Sequence, residues 1–548
     1  MKIFKYILIA AAGVAMTACS DEPQGVSTKV PVDTPDPEPV LSPDDEVTSP
    51  RPTFACDPQT VAANTAQVFQ TIEGFGASDC WLPNTIGAYW SDNRQLIANY
   101  LFSQNKSNGQ PEGIGLSVWR VNLGAGSAEQ GDESGIASVN NRAESFLSGG
   151  AYDWNKCVGQ RYFMEQAKRY GCESFVLFVN SPLVQYTRNG KGFSKAGGTG
   201  NLKEEHYDDY ANYLVTVADY FNAAGYNVTH VSPLNEPQFD WDGDAQEGSG
   251  WDNSYIAKYV KALDKAFQAK GTKTKLSLAE AASFEDLYQG DDARRQVIKH
   301  LFTKGSANYI GDLKSVDNHV AAHSYWTYDT WDHMRTVRQK ARAAADAQGL
   351  RIWQTEWSML GDAPSELAGG SYEMATEMDI ALYMSKIIHN DLTVANVTSW
   401  SYWTAMSVER YGQKNRFELI KTTAKGGEYS DDFTQGGTVT ATDNLWVLGN
   451  YSLFVRPGYK RVALQHQETK DFFGSAWMAP DGSKLVVVYT NMNKNKGVTL
   501  DASFGGLTPK IVQVYTTTEK KHLKYERFSL KDKVFLDPAS VTTVVYTL

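Results

Sequence analysis

From about residue 70 the chain repeats one pattern of apolar and polar positions. A stretch with helical periodicity stops at a glycine, a short apolar run follows, and the run ends in polar residues. The periodicity predicts helices over 160–170, 207–224, 252–270 and 332–348, each closed by a glycine at 171, 225, 271 or 349, where a left-handed cap suits a residue without Cβ. In the second helix Tyr210, Tyr213, Leu214, Val217 and Phe221 fall on one stripe, as packing on a sheet requires. The apolar runs that follow, over 174–179, 228–234, 275–279 and 350–355, read as buried strands. Runs over 71–76, 115–121, 315–322 and 394–400 bring the count to eight.

Helices alternating with short buried strands imply a parallel sheet. Eight such units over residues 70–456 predict an α/β fold, a closed (β/α)8 TIM barrel with insertions. An open doubly wound sheet is the alternative, weakened because no Gly-rich phosphate loop follows a strand. After Pro457 the helical period gives way to short runs separated by turns, over 484–490, 497–500, 510–516, 533–536 and 540–547. This region, 457–548, reads as a small antiparallel β-sandwich, to which residues 53–69 add strand.

Composition changes the picture in three places. Residues 20–52 are rich in Pro, Asp, Glu, Ser and Thr, cannot form a core, and read as a tether. Before them, Lys2 and Lys5 precede a short apolar run ending in small residues, the form of an export signal. Met16-Thr-Ala-Cys19 resembles a bacterial lipoprotein cleavage box, which would make residues 1–19 the signal segment, Cys19 the lipidated residue and the outer membrane a partner. Ser20-Asp-Glu22 resembles the acidic tag of surface-exposed lipoproteins, with the periplasm as the other destination. The net charge of −11 argues against nucleic acid. Cys56, Cys80, Cys157 and Cys172 fit no zinc spacing and no nucleophile motif, although an exported chain can pair some of them.

The chemistry concentrates at two strand tips. Ser232-Pro-Leu-Asn-Glu236-Pro237 and Trp353-Gln-Thr-Glu356-Trp357 each run through apolar or small residues into a glutamate. Strand tips of such a barrel share one mouth, so Glu236 and Glu356 would meet there. A carboxyl pair is what glycosidic cleavage needs, one to donate a proton and one to act as nucleophile or base. A separation of about 5 Å means retention of configuration and a wider gap inversion. Arg120, at the second tip, is the candidate cation for the nucleophile, and Asn235 can donate to a sugar hydroxyl. Position at the same mouth adds Asp79, Trp81, Asn180, Glu280, His323, Tyr325 and Trp403 as candidate substrate contacts. No metal or other cofactor is called for, since the carboxyl pair suffices and no cluster shows ligand spacing.

Four segments carry a resemblance. Gln70-Thr-Ile-Glu-Gly-Phe-Gly-Ala-Ser-Asp79, Leu234-Asn-Glu-Pro-Gln238, His323-Ser-Tyr-Trp326 and Leu448-Gly-Asn-Tyr-Ser-Leu-Phe-Val-Arg-Pro-Gly458 resemble glycoside hydrolase family 30, in order from about residue 55 onward. The resemblance implies retaining hydrolysis of an oligo- or polysaccharide, with Glu236 as acid/base and Glu356 as nucleophile, on a barrel fused to a β-sandwich. Gln246-Glu247-Gly248 with Trp251, and Asn180-Ser-Pro182 with Asn189-Gly190, are similar to the endo-β-1,6-galactanase branch. That branch carries Pro and Cys where this chain has Leu183 and Ser249. A β-1,6-glucanase, a xylanase, an exo-β-glycosidase or an inactive glycan-binding lipoprotein are the alternatives, with a metal-dependent hydrolase behind them.

Overall fold

A computed structural model describes residues 47–194 and 198–548. Cys19, the export signal and the tether up to residue 46 lie outside the described residues. Among the described residues no helix is long and apolar enough to cross a membrane.

The first strand, β1 (Cys56–Thr71), leads directly into the barrel. The barrel strands are β2 (Gly74–Ser78), β3 (Val118–Asn122), β4 (Ser174–Phe178), β5 (Val228–Ser232), β6 (Lys275–Leu276), β7 (His319–Ala322), β8 (Arg351–Gln354) and β9 (Ser399–Tyr402). They form one parallel sheet in the order β6-β5-β4-β3-β2-β9-β8-β7. Backbone hydrogen bonds close the ring between its two ends: Leu276 N–H to Ser315 O (2.8 Å), Ala321 N–H to Leu278 O (2.7 Å) and His323 N–H to Ala281 O (2.8 Å). The open-sheet alternative is thereby excluded.

All eight expected strands are present, shifted by a few residues at their ends. β6 keeps only two residues of its expected run. Each glycine-capped helix also forms, and Gly171, Gly225, Gly271 and Gly349 all have φ between +64° and +80°, the left-handed conformation that ends a helix at low cost. The stripe Tyr210, Tyr213, Leu214, Val217 and Phe221 is buried on helix Tyr207–Ala223.

The C-terminal region is larger than the sequence pattern suggested. Its strands are β10 (Lys460–Gln465), β11 (Phe472–Met478), β12 (Lys484–Asn491), β13 (Gly497–Ser503), β14 (Ile511–Thr518), β15 (Lys521–Phe528), β16 (Phe535–Leu536) and β17 (Ser540–Thr547). With β1 they make a nine-stranded sheet in the order β15-β14-β17-β12-β11-β10-β1-β13-β16. Its faces enclose a core that includes Val61, Val462, Val487, Leu500 and Val514. One pairing departs from an antiparallel arrangement: β1 runs parallel to β13, from Cys56 opposite Gly497 to Ala62 opposite Ser503.

Two helices join barrel and sandwich. Helix Glu377–Thr393 is buried from Met378 to Leu392, and its Ser385 hydroxyl meets Thr490 of β12 at 2.6 Å. On helix Asp443–Ser452, Asn450 donates to Tyr515 O and to Thr543 Oγ1, both at 3.0 Å. The segment Leu448–Gly458 is therefore a structural seam rather than part of the mouth. Cys56, Cys80, Cys157 and Cys172 carry free thiols.

Candidate active site

Side chains of a barrel strand alternate between interior and exterior. Val118, Val176, Ala321 and Trp353 fill one interior layer. Two residues further along the same strands the interior turns polar, with Arg120 and Thr355 beside Phe178 and His323. Ser78, Ser232 and Glu280 complete this upper ring, and every member is buried.

Arg120 organises it. One guanidinium nitrogen donates to Ser78 Oγ (2.8 Å) and to Glu356 Oε1 (2.9 Å), and the other reaches Glu280 Oε2 (3.5 Å). Its plane lies over the Phe178 ring at 4.3 Å. Glu280 accepts from Ser232 Oγ (2.8 Å), Thr355 Oγ1 (2.6 Å) and His323 Nε2 (3.1 Å). His323 Nδ1 donates to Glu236 Oε1 at 2.8 Å and stands 3.7 Å from Glu356 Oε2. A side-chain oxygen of Glu236, one of Glu356 and a ring nitrogen of His323 all lie within 4.8 Å of one another.

The charges follow from that geometry. Burial alone would favour a neutral imidazole. The Glu356 charge and the bonds to Glu236 and Glu280 outweigh it and raise His323 to about 10. Burial would also raise Glu280, but Arg120 and the His323 and Thr355 bonds hold it at about 2. Glu356 is pushed above the ordinary carboxylate range by burial. His323 and Arg120 oppose that push, and the Glu236 and Glu280 charges add to it.

The other expected contacts separate into two groups. Trp81 and Trp403 meet edge to face at 5.3 Å, and Trp403 packs on Phe178 at 6.3 Å, with Cys80 beneath them. Asn180 Nδ2 approaches Cys80 Sγ at 3.8 Å. Asn180 Oδ1, Asn235 Oδ1 and Trp81 Nε1 are buried with no hydrogen-bond partner among the described residues. Tyr325 is buried near both glutamates, and desolvation followed by the Glu356 and Glu236 charges raises its phenol.

Asp79 and Glu280 form the second group, wholly enclosed and supplied with protein partners. Asp79 accepts from Asn122 N–H (2.7 Å) and Gln160 Nε2 (3.0 Å), and burial raises it to about 7. In this structure both acids are already bonded to protein donors.

Some residues of the candidate site had no signal of their own in the sequence. Ser78, Ser232 and Thr355 are small polar residues at strand tips, and their spacing two residues from other inward positions is the only cue. Trp241 also went unremarked: its ring N–H donates to Glu236 O at 3.1 Å, supporting a backbone at φ +40°. Glu247, noticed only within Gln246-Glu247-Gly248, is buried and accepts from Ala125 N–H (2.9 Å) and Ser127 Oγ (2.5 Å), tying two mouth loops together.

Two clusters have the compactness of a metal site: Glu236, His323 and Glu356, and His230, Asp317 and His319. In the first, both ring nitrogens of His323 face carboxylates and the ring holds its second proton to about pH 10. An imidazolium has no lone pair to give a metal.

Two carboxyls this close, at the C-terminal mouth of such a barrel, are the arrangement that glycosidic cleavage needs. The O-Glycosyl hydrolase family 30 model matches residues 58–416, and the chain belongs to that family. It is 26% identical over 451 residues to an endo-beta-1,6-galactanase of Hypocrea rufa, covering 79% of this chain and 81% of that protein. Among solved structures, a conserved exported protein from Bacteroides fragilis aligns at 30% identity with a TM-score of 0.82, over 89% of this chain and all of that one. The catalytic domain of xylanase C from Talaromyces cellulolyticus shares the fold at 21% identity and a TM-score of 0.62, over 89% of this chain and all of that one.

Proposed function

We propose that the protein is a retaining endo-β-1,6-galactanase in which Glu236 is the acid/base and Glu356 the nucleophile. The observation that carries the mechanism is that one carboxyl oxygen of Glu236 and one of Glu356 lie within 4.8 Å, which favours the roughly 5–5.5 Å spacing of a retaining pair over the roughly 6.5–9.5 Å of an inverting one. Arg120 bonds Glu356 directly and favours its ionised form. Glu236 has no arginine, and its charged partner is His323. Glu356 therefore attacks the anomeric carbon while Glu236 protonates the departing oxygen. Glu236 then takes a proton from the water that hydrolyses the ester. The unpartnered Asn180, Asn235 and Trp81 atoms offer hydrogen bonds to sugar hydroxyls, and Trp81 and Trp403 offer ring faces and edges.

The substrate assignment rests on the Hypocrea rufa relative and on the segments 180–190 and 246–251. Product analysis on a panel of β-glycans, β-1,6-galactan first, tests it. Short β-1,6-galacto-oligosaccharides whose first-formed anomer is β support the assignment, release from another β-glycan alone replaces the substrate, and a first-formed α anomer overturns the retaining mechanism.

The exported relative supports export of this chain, while only the segments 16–19 and 20–22 support Cys19 as lipid attachment site and the outer-membrane surface as destination. Cys19→Ala should release the protein from the membrane fraction. Continued membrane association would discard the anchor.

A further inference from the structure

The mouth has two aromatic walls. Trp81, Trp403 and Phe178 stand on the Arg120 side. Phe239, Trp241 and Trp326 stand on the Glu236 side, on loops that follow β5 and β7. Phe239 packs edge-on against both indoles, at 5.9 Å from Trp241 and 5.5 Å from Trp326. Because Trp241 is bonded to the Glu236 carbonyl, the row runs outward from the acid/base itself.

Trp326 is 49% exposed, the one tryptophan among the described residues with so open a ring. Its φ is +56°, in a region that bulky side chains seldom adopt. The chain turns there abruptly, since Tyr325 before it is only 2% exposed. Fold stability does not account for a strained backbone that carries an indole into water. Such outliers cluster where a ligand is held.

We propose that Trp326 is the stacking platform for the sugar ring on the leaving-group side of the scissile bond, so that the enzyme favours chains that continue past the cleaved linkage. This rests on the assignment of Glu236 as the proton donor. The departing sugar is the one whose oxygen Glu236 protonates, so it leaves along the wall that extends from Glu236. A β-galactosyl ring presents one face of C–H bonds, which suits an exposed indole edge-supported by Phe239. Trp81 and Trp403, across the mouth, remain for the sugar that is attacked.

Trp326→Ala separates this role from a structural one. The wild type and the variant are compared on the polysaccharide and on the glycosyl fluoride of the oligosaccharide that the wild type releases. Fluoride is a single atom and reaches no platform. On the polysaccharide kcat/KM should fall about tenfold, with Trp326→Phe recovering most of it, while the fluoride reaction stays within about twofold. An equal loss on both substrates, or no loss on the polysaccharide, overturns the proposal. If β-1,6-galactan is inert and another β-glycan is cleaved, the substrate assignment fails, and the same pair of assays on that glycan still decides Trp326.

Discussion

At one end of the barrel His323 lies among three carboxylates, Glu236, Glu280 and Glu356, with Arg120 as the other cation. At the opposite end His230 and His319 share one carboxylate, Asp317, which also accepts from Arg351 at 2.8 Å, while Glu73 pairs with the same arginine. The residue types are the same and the outcome differs. Burial and thin compensation lower His230 to about 4, whereas three acids raise His323 to about 10. At the lower end Arg351 bridges Asp317 and Glu73, and the cluster holds the strand starts together. In the upper ring three carboxyls face two cations, so balance is reached when one carboxyl keeps a proton. That is the state in which a proton donor and an ionised nucleophile coexist. The number of carboxylates that face each imidazole, three at His323 and one at His230, distinguishes the two ends more than the kinds of residue present.

Substitution at each end should read out differently. Glu356→Gln is expected to lower kcat on the order of 10⁴-fold or more while leaving the unfolding midpoint close to that of the wild type. Turnover above about 1% of wild type would remove Glu356 from the chemistry. Arg120→Lys keeps the charge but loses the fork that spans Ser78, Glu356 and Glu280. The expected fall in kcat is on the order of 10²-fold, and activity near wild type would show that charge alone suffices. At the lower end, Asp317→Asn should leave kcat unchanged and cost about 2 kcal/mol of stability, measured by denaturant unfolding. A matching loss of kcat would break the contrast between the two ends.

Smaller effects concern pH and metal. His323 is raised, so its contribution to stability is complete below about 6.5 and is lost as pH rises through about 10. His230 is lowered, so the unfolded chain takes up the proton first, and stability falls as pH drops from about 6.5 to about 4. Thermal midpoints across this range should fall on both sides, and His230→Asn should flatten the acid side only. Chelation should change neither activity nor midpoint. A loss that calcium or zinc restores would make one of the two histidine clusters a metal site.

Much of the barrel was legible because four of its eight units announce themselves locally, as a helix, a glycine at φ > 0 and an apolar run. Glu236 and Glu356 stood out because a carboxylate after such a run is conspicuous. β10, β11 and β15 were missed for physical reasons. Phe472–Met478 is buried at six of its seven positions and shows no alternation, and Lys521–Phe528 reads as a charged surface run. The roles of Glu280 and Asp79 were hidden for another reason. Their partners Arg120, Gln160, His323 and Thr355 lie 43–160 residues away in sequence, and nothing short of the closed ring shows that these acids already have their donors.

β1 carries a consequence for how the chain is made. It is an internal strand of the nine-stranded sheet, held between β10 and β13, yet it emerges first, and Ala62 waits for Gln465 about 400 residues later. The sandwich cannot assemble during synthesis of the barrel, and β1 remains without its neighbours until β10 and β13 have been made. Such a long-range pairing is slow to nucleate, so the sandwich is the part of the fold that completes last.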